Sequence, residues 1–145
     1  MFTNLTVKED KLQAVLKKMS ESILQFTLTG SRFAGTNKEH SDWDFFTEEN
    51  GLTISQLRQL GFSCIYKENV GSNVSMYGDV ASSFVYRHPV GIDVQVIKTE
   101  YFAAKKFANE FLLKQNTSLL RNASKFKSKE IWTKTIQASY NCGIR

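Results

Sequence analysis

The middle of the chain carries a succession of short segments that favour β-strand, and this succession limits the folds open to it. Four segments between residues 62 and 97 are rich in β-branched and aromatic residues. They are Phe62–Lys67, Asn73–Tyr77, Val80–Arg87 and Ile92–Ile97. His88–Gly91 separates the last two and predicts the turn of a hairpin. Leu24–Thr29 and Trp43–Thr47 are predicted as further strands, so the fold must contain a sheet.

Helical periodicity lies at both ends of the chain, outside the predicted sheet. Apolar residues recur at helical spacing from about Lys8 to Ser22, and a final helix is predicted from about Ser128 to Tyr140. The segment after Thr99 is also predicted to be helical, with its phenylalanines in the core. Short helices are expected after Ser31 and over Thr53–Leu60. This order predicts an α+β (α/β) fold, a mixed β-sheet with helices packed mainly on one face.

Length and composition favour one globular domain. The chain has 145 residues and a single proline, Pro89, and it has no internal repeat. We therefore expect one domain over residues 1–145, with a basic helical part from about residue 98. Hydrophobic residues at 41% and charged residues at 23% exclude disordered and fibrous proteins. We expect no membrane-spanning segment and no secretory signal. Cys64 and Cys142 lack metal-ligand spacing and are expected to be reduced thiols in the cytoplasm.

Charge is distributed unevenly along the chain. Residues 1–97 contain 9 Lys and Arg against 11 Asp and Glu, whereas residues 98–145 contain 10 against 3. A basic second part is typical of a surface that faces nucleic acid, nucleotide phosphates or an acidic protein. Lysines on the solvated face of amphipathic helices are the alternative interpretation, and the distribution alone does not choose between them.

Candidate functional residues cluster in the sequence LTGSRFAGTNKEHSDWDFF, residues 28–46. A predicted strand ends there at Gly30 and Ser31, whose small side chains let backbone amides at a helix start approach a phosphate. Asp42 and Asp44 are two residues apart in a predicted strand, so both side chains point to one face. Because adjacent carboxylates repel each other, a cation between them is expected, and Mg²⁺ prefers such oxygen ligands.

A third acidic residue, Asp93, lies in the otherwise apolar segment VGIDVQVI. An ionised carboxylate in such a strand needs a partner or a metal ion. Either Asp93 forms a structural ion pair with Arg87 or Lys98, or it joins Asp42 and Asp44. A phosphate cradle with three acids is the set of groups used in two-metal phosphoryl or nucleotidyl transfer.

These residues resemble the motif of the DNA polymerase β-like nucleotidyltransferase superfamily. The spacing GSR-x-x-G-x5-SDxD, followed by the strand residue Asp93, is most similar to the small minimal nucleotidyltransferases, which include antitoxin partners of HEPN toxins. The resemblance covers about residues 24–97. It implies a nucleotidyltransferase-like fold and transfer of an NMP, with AMP favoured, from an NTP to a hydroxyl, releasing pyrophosphate.

The resemblance also implies roles for individual residues. Gly30 and Ser31 would bind the triphosphate. Asp42 and Asp44 would ligate two Mg²⁺ ions, for which Mn²⁺ could substitute. Asp93 would hold the catalytic ion and help to deprotonate the acceptor hydroxyl.

Further nucleotide contacts are expected from Arg32 and Ser41. Ala34 stands where many small relatives have arginine, so Lys105 or Lys106 in the basic part are candidates for supplying the missing phosphate contact. Candidate aromatic residues for stacking on the base are Tyr77 and Tyr86. The two histidines, His40 and His88, are expected at the surface or in turns.

Partners follow from the same resemblance and from the charge. ATP is the favoured nucleotide, and the acceptor is a protein, such as a toxin, or an RNA, such as a tRNA. The basic part favours RNA, because phosphate contacts dominate binding to nucleic acids. The alternative function is a catalytically silent nucleotidyltransferase fold that neutralises a partner protein or binds RNA.

Overall fold

The computed structural model describes residues 2–67, 80–115 and 120–145. Its strands are β1 (Thr27–Thr29), β2 (Trp43–Glu48), β3 (Ser63–Lys67), β4 (Ser82–His88) and β5 (Ile92–Ile97). Its helices are α1 (Phe2–Glu21), α2 (Gly30–Ala34), α3 (Thr53–Gln59), α4 (Phe102–Gln115) and α5 (Lys125–Asn141). A 3₁₀ turn, Thr99–Tyr101, leads into α4. None of the described helices is long and apolar enough to cross a membrane.

The strands form one mixed sheet in the order β1-β2-β5-β4-β3. The central pair, β2 and β5, is parallel, and the other three pairs are antiparallel. Gly91, with a φ of +95°, closes the β4–β5 hairpin in a conformation that favours glycine. The parallel pairing brings together two strands separated by more than 40 residues, because α3, β3 and β4 lie between them in the chain.

Alternation along the strands gives the sheet two packed faces. On the α1/α3 face, Val94 and Val96 of β5 share a core with Met19 of α1 and Leu57 of α3. On the opposite α4/α5 face, Phe46 and Ile97 pack against residues of the two C-terminal helices, namely Ala104, Ala108 and Ile136. The sheet is therefore covered on both sides.

Most predicted elements are confirmed, with shifted ends. The α+β class with a mixed sheet is confirmed, but the helices are divided between the two faces rather than packed mainly on one. Strand β5 spans the predicted residues, whereas β1 is only three residues long and α1 begins at Phe2. The predicted strand Asn73–Tyr77 lies outside the described residues.

The buried side of α4 differs from the prediction. Phe107 and Phe111, expected in the core, are 45% and 39% exposed and stack on each other with ring centroids 6.2 Å apart. The helix instead buries the stripe that begins one position later, which includes Ala104, Ala108 and the polar residues Lys105 and Asn109. Small residues let the helix approach the sheet closely, and phenylalanine in that stripe would hold it away.

Candidate functional site

Strand register brings polar residues of all five strands into one row across the sheet. Thr29 pairs with Asp44, Asp44 with Asp93, Asp93 with Arg87, and Arg87 with Ser63. We call this set the polar row. Directly paired residues point to the same face, so the row lies on the α4/α5 face. Neighbouring strands are about 4.8 Å apart, which places the carboxylates of Asp44 and Asp93 side by side.

Asp44 is the most perturbed group of the row. Burial raises the pKa of Asp44 most, and the charges of Asp93 and Asp42 add to it. Lys105 and Lys129 act in the opposite direction, and the resulting pKa is about 7. The carboxyl is therefore near its titration midpoint at neutral pH when no cation is bound. Such a pKa marks the group as a candidate functional residue with a physical cause, namely desolvation beside two other acids.

Gly30 makes room for this carboxylate. Its φ is +74°, and a Cβ at this position would lie 2.5 Å from Oδ2 of Asp44. A side chain would collide with the acid, so only glycine lets the turn between β1 and α2 pass this close. Ser31 follows at the start of α2, and the expected order of strand end, Gly30, Ser31 and helix is confirmed. Their proposed role in binding the triphosphate remains a prediction.

A buried polar contact fixes the end of β1 to α4. The hydroxyl of Thr29 donates to Oδ1 of Asn109 at 2.7 Å, and Nδ2 of Asn109 donates to the carbonyl of Leu28 at 3.0 Å. Thr29 is the N-cap residue of α2 but makes no side-chain cap. Its hydroxyl is directed to α4 instead, so this contact positions the Gly30 turn against the helix.

The loop that carries Asp42 is held by two residues expected at the nucleotide. The guanidinium of Arg32 donates to the carbonyl of Ser41 from Nη2 at 2.8 Å and from Nε at 3.1 Å, and it lies 4.5 Å from the ring centroid of Trp43. The Ser41 hydroxyl accepts from the backbone N–H of Lys38 at 2.8 Å. In this structure both residues order the loop before β2, and their contact with a nucleotide remains a prediction.

Asp42 itself is exposed and lies beside the β4–β5 hairpin. Its Oδ1 is 3.6 Å from the place where a Cβ on Gly91 would be, and the next residue, Trp43, donates its N–H to the Gly91 carbonyl at 2.8 Å. Asp42 was predicted to lie in the strand with Asp44, but β2 begins at Trp43, so Asp42 is in the loop just before it. Its charge is still close enough to act on Asp44.

Asp93 has an ion-pair partner on the adjacent strand. Nε of Arg87 donates to Oδ1 at 2.8 Å, and Nη2 donates to Oδ2 at 3.0 Å. The Asp93 side chain is 14% exposed and the Arg87 side chain 44%. The ion pair with Arg87, one of the two interpretations left open by the sequence, is therefore present, although Asp93 also lies beside Asp44.

Lys105, one of the two lysines predicted to supply a phosphate contact, is buried beside the acids. It is 1% exposed, with Nζ 4.8 Å from the ring centroid of Trp132 and 5.5 Å from that of Phe46. Its charge lowers the pKa of Asp44, as does the charge of Lys129 on α5. Two lysines of the basic part therefore act on the acidic site. Sequence spacing offered a signal, since Lys105 shares the helical stripe of Ala104 and Ala108.

Other candidates lie away from the polar row. Tyr86 is 3% exposed in the core of the α1/α3 face, opposite the acids, so its predicted stacking on a base is wrong. Tyr77 lies outside the described residues. The ammonium of Lys106 is 5.5 Å from the ring centroid of Phe102 on an exposed part of α4. His40 is exposed, and His88 makes an edge-to-face contact with Phe62 at the hairpin, as expected for surface and turn histidines.

Charge repulsion makes Asp42 and Asp44 the candidates for holding a divalent cation. In the ranges that the structure describes, no group of three His, Cys, Asp or Glu side chains is arranged to hold a metal ion. Asp42 and Asp44 repel each other, and a cation bound to them would relieve the repulsion that raises the pKa of Asp44. Both oxygens of Asp93, in contrast, accept hydrogen bonds from Arg87.

Comparison with known proteins adds no relative. No protein-family model, no curated protein and no solved structure matches this chain.

Proposed function

We propose that this protein is a Mg²⁺-dependent nucleotidyltransferase that moves an NMP, with AMP favoured, from an NTP to a hydroxyl of a protein or RNA acceptor. The acceptor oxygen forms a bond to the α-phosphorus, the bond from that phosphorus to the leaving pyrophosphate breaks, and a carboxylate of the polar row takes the hydroxyl proton. The proposal draws on the motif resemblance and on the geometry of the acids. We expect it to act in the cytoplasm, where both exposed cysteines would stay reduced.

The observation that carries the proposal is the placement of Asp44 and Asp93. They come from strands far apart in the chain, yet they are direct neighbours on the parallel pair β2–β5. The backbone of Gly30 lies against Asp44, so a triphosphate at the Gly30–Ser31 turn would be adjacent to the acids. An active nucleotidyltransferase needs this combination of phosphate-binding backbone and carboxylates at one end of a sheet.

Each residue contributes a specific property. Asp42 and Asp44 would hold Mg²⁺, which when bound supplies positive charge for the phosphates. Gly30 allows the close approach, and Arg32 holds the loop of Asp42 in place. Lys105 supplies a fixed positive charge beneath the site, where low solvent exposure strengthens its effect on an anionic nucleotide.

The exposed lysines of α5 indicate which class of acceptor the protein would bind. Lys127 and Lys134 both pair with Glu130, at 3.4 and 2.9 Å, and remain largely solvent-exposed. Two lysines against one glutamate leave net positive charge on α5, the helix whose Lys129 acts on Asp44, and this suits an RNA or an acidic protein surface.

The test is transfer of label from each of four α-labelled NTPs, with Mg²⁺, to total cell protein and total RNA. We expect a labelled band with the natural protein and with the control Asp10→Asn, which changes an exposed aspartate on α1. The Asp42→Asn/Asp44→Asn double variant should yield none. Nuclease or protease sensitivity of the band then identifies the acceptor class, and label that persists in the double variant would contradict the proposal.

A second function, the catalytically silent binding module, is favoured by one observation. The Arg87–Asp93 pair neutralises an acid that the resemblance assigns to metal binding. A silent module predicts no label with any NTP but retained binding of an RNA or a partner protein. RNA binding should then weaken steeply as salt rises, whereas an apolar protein interface should not.

A further inference from the structure

We propose that Arg87 takes the place of a second divalent cation at Asp93, so that the site binds one divalent cation, on Asp42 and Asp44, rather than two. The inference rests on the proposed function and departs from the pair of ions that the motif resemblance implies. It concerns a residue outside the motif, on a strand that the resemblance does not assign to the site.

Strand register builds the Arg87–Asp93 contact into the sheet. The two residues are direct partners in the antiparallel β4–β5 pair. Their side chains therefore project from the same face with Cβ atoms about 5 Å apart, so the arginine does not have to reach across the sheet to contact the acid. The planar guanidinium presents two parallel N–H groups that match the two carboxylate oxygens, at 2.8 and 3.0 Å.

This geometry competes with a metal ion. A divalent cation at Asp93 needs a carboxylate oxygen as ligand, and it would then lie beside a guanidinium of the same sign of charge. Arg87 cannot lose its proton to relieve that repulsion, because guanidinium stays charged at all physiological pH values. An ion at Asp93 would have to displace Arg87 first.

The charges of the site favour a single ion. One divalent cation together with Arg87 balances the three carboxylates of the site. Lys105 and Lys129 add positive charge near Asp44, so a second ion would leave an excess of positive charge. Asp44 lies on the side of Asp93 opposite Arg87, because β5 is between β2 and β4 in the sheet. A cation on Asp42 and Asp44 would therefore lie away from the arginine.

The test counts Mn²⁺ ions bound per chain in the absence of nucleotide, by calorimetry and by the electron paramagnetic resonance of free Mn²⁺. We expect one ion for the natural protein and two for Arg87→Met, with the affinity of the second site raised about 10- to 100-fold. Arg121→Met, which removes an exposed arginine far from the polar row in sequence, serves as control and should bind one. The Arg87→Met/Asp93→Asn double variant should return to one ion, which assigns the second ion to Asp93.

Two results would overturn the inference. One is a natural protein that binds two ions of similar affinity, and the other is an Arg87→Met variant that binds the same number as its parent. If Arg87→Met does not fold, Arg87→Gln replaces it, because an uncharged amide does not repel a cation and should let the second ion bind. One bound ion without any label transfer would refute the proposed function alone, since the count would still agree with the inference.

Discussion

The two faces of the sheet are formed by the same strands, yet they bury different kinds of side chain. On β5, Ile92, Val94 and Val96 point to the α1/α3 face and join an apolar core. Asp93 and Gln95 point to the α4/α5 face, where α4 adds the buried Lys105 and Asn109. Burying charges and amides under a helix costs free energy unless each finds a partner.

The α1/α3 face therefore serves mainly to stabilise the fold, whereas the α4/α5 face holds the candidate functional groups. The α1/α3 face gains free energy mainly from the burial of apolar side chains. The α4/α5 face places three carboxylates near each other and raises the pKa of one of them to about 7. An arrangement that opposes folding is expected where a cation or an anionic substrate binds.

The largest effect on stability should come from the α1/α3 face. Leu57 on α3 is fully buried, so Leu57→Ala removes packed methyl groups and leaves a cavity. We expect the free energy of unfolding to fall by about 2–5 kcal/mol in urea titrations. Leu52→Ala, at a leucine that is 53% exposed, should change it far less. Mn²⁺ affinity of folded Leu57→Ala should equal that of the natural protein, and a large loss would show that the faces are not independent.

Asp44→Asn should raise the free energy of unfolding, whereas Leu57→Ala lowers it. The folded pKa of about 7 lies above the ordinary value of 3.8, so the folded state binds the proton more tightly than the unfolded chain. The stability of the natural protein should therefore fall as pH rises from about 4 to about 7 and then level off. Asparagine carries no charge, so the variant should be more stable above pH 7 by up to about 4 kcal/mol.

The measurement is urea unfolding of both proteins with a chelator present, at several pH values across this range. The advantage of Asp44→Asn should shrink as the pH falls. Asp10→Asn controls for the loss of one negative charge at an exposed position. An advantage that is constant with pH would contradict the assignment of the titration to Asp44.

A smaller effect is expected for the buried lysine. Lys105→Met keeps most of the apolar stem and removes the charge, so the loss of its contacts with the rings of Phe46 and Trp132 should change stability by only about 1 kcal/mol. The pKa of Asp44 should rise further, because the charge that lowers it is gone. The pKa of Asp44 is measured by carboxyl NMR titration, with Lys106→Met as the control. An unchanged pKa in Lys105→Met would show that Lys105 does not act on the site.

The smallest effect should come from the outer side of α4. Phe107→Gln replaces a residue that is 45% exposed, and the change in stability should be about 0.5 kcal/mol. Leu112→Gln on the buried side should cost several times more, since that leucine is 1% exposed. Equal costs in thermal unfolding would mean that the phenylalanines contribute to the core after all.

Local patterns predicted the strands better than the packing of the helices. The bounds of β5 agree with the prediction because alternating apolar residues need only neighbours along the chain. The prediction of the buried side of α4 was wrong. Hydrophobicity favours Phe107 and Phe111, whereas the close approach of the helix to the sheet requires the small residues Ala104 and Ala108. Nothing local indicates which of two adjacent stripes meets the sheet.

The sequence by itself determined that a strand ends before Gly30 and Ser31, that Asp44 lies in a strand, and that Asp93 lies in another. Only the tertiary structure decided that Asp93 neighbours Asp44 on one side and Arg87 on the other. It also placed Lys105 beneath the site. The reason is physical: side-chain direction follows from local backbone geometry, whereas pairing between strands depends on how the whole sheet and its helices pack.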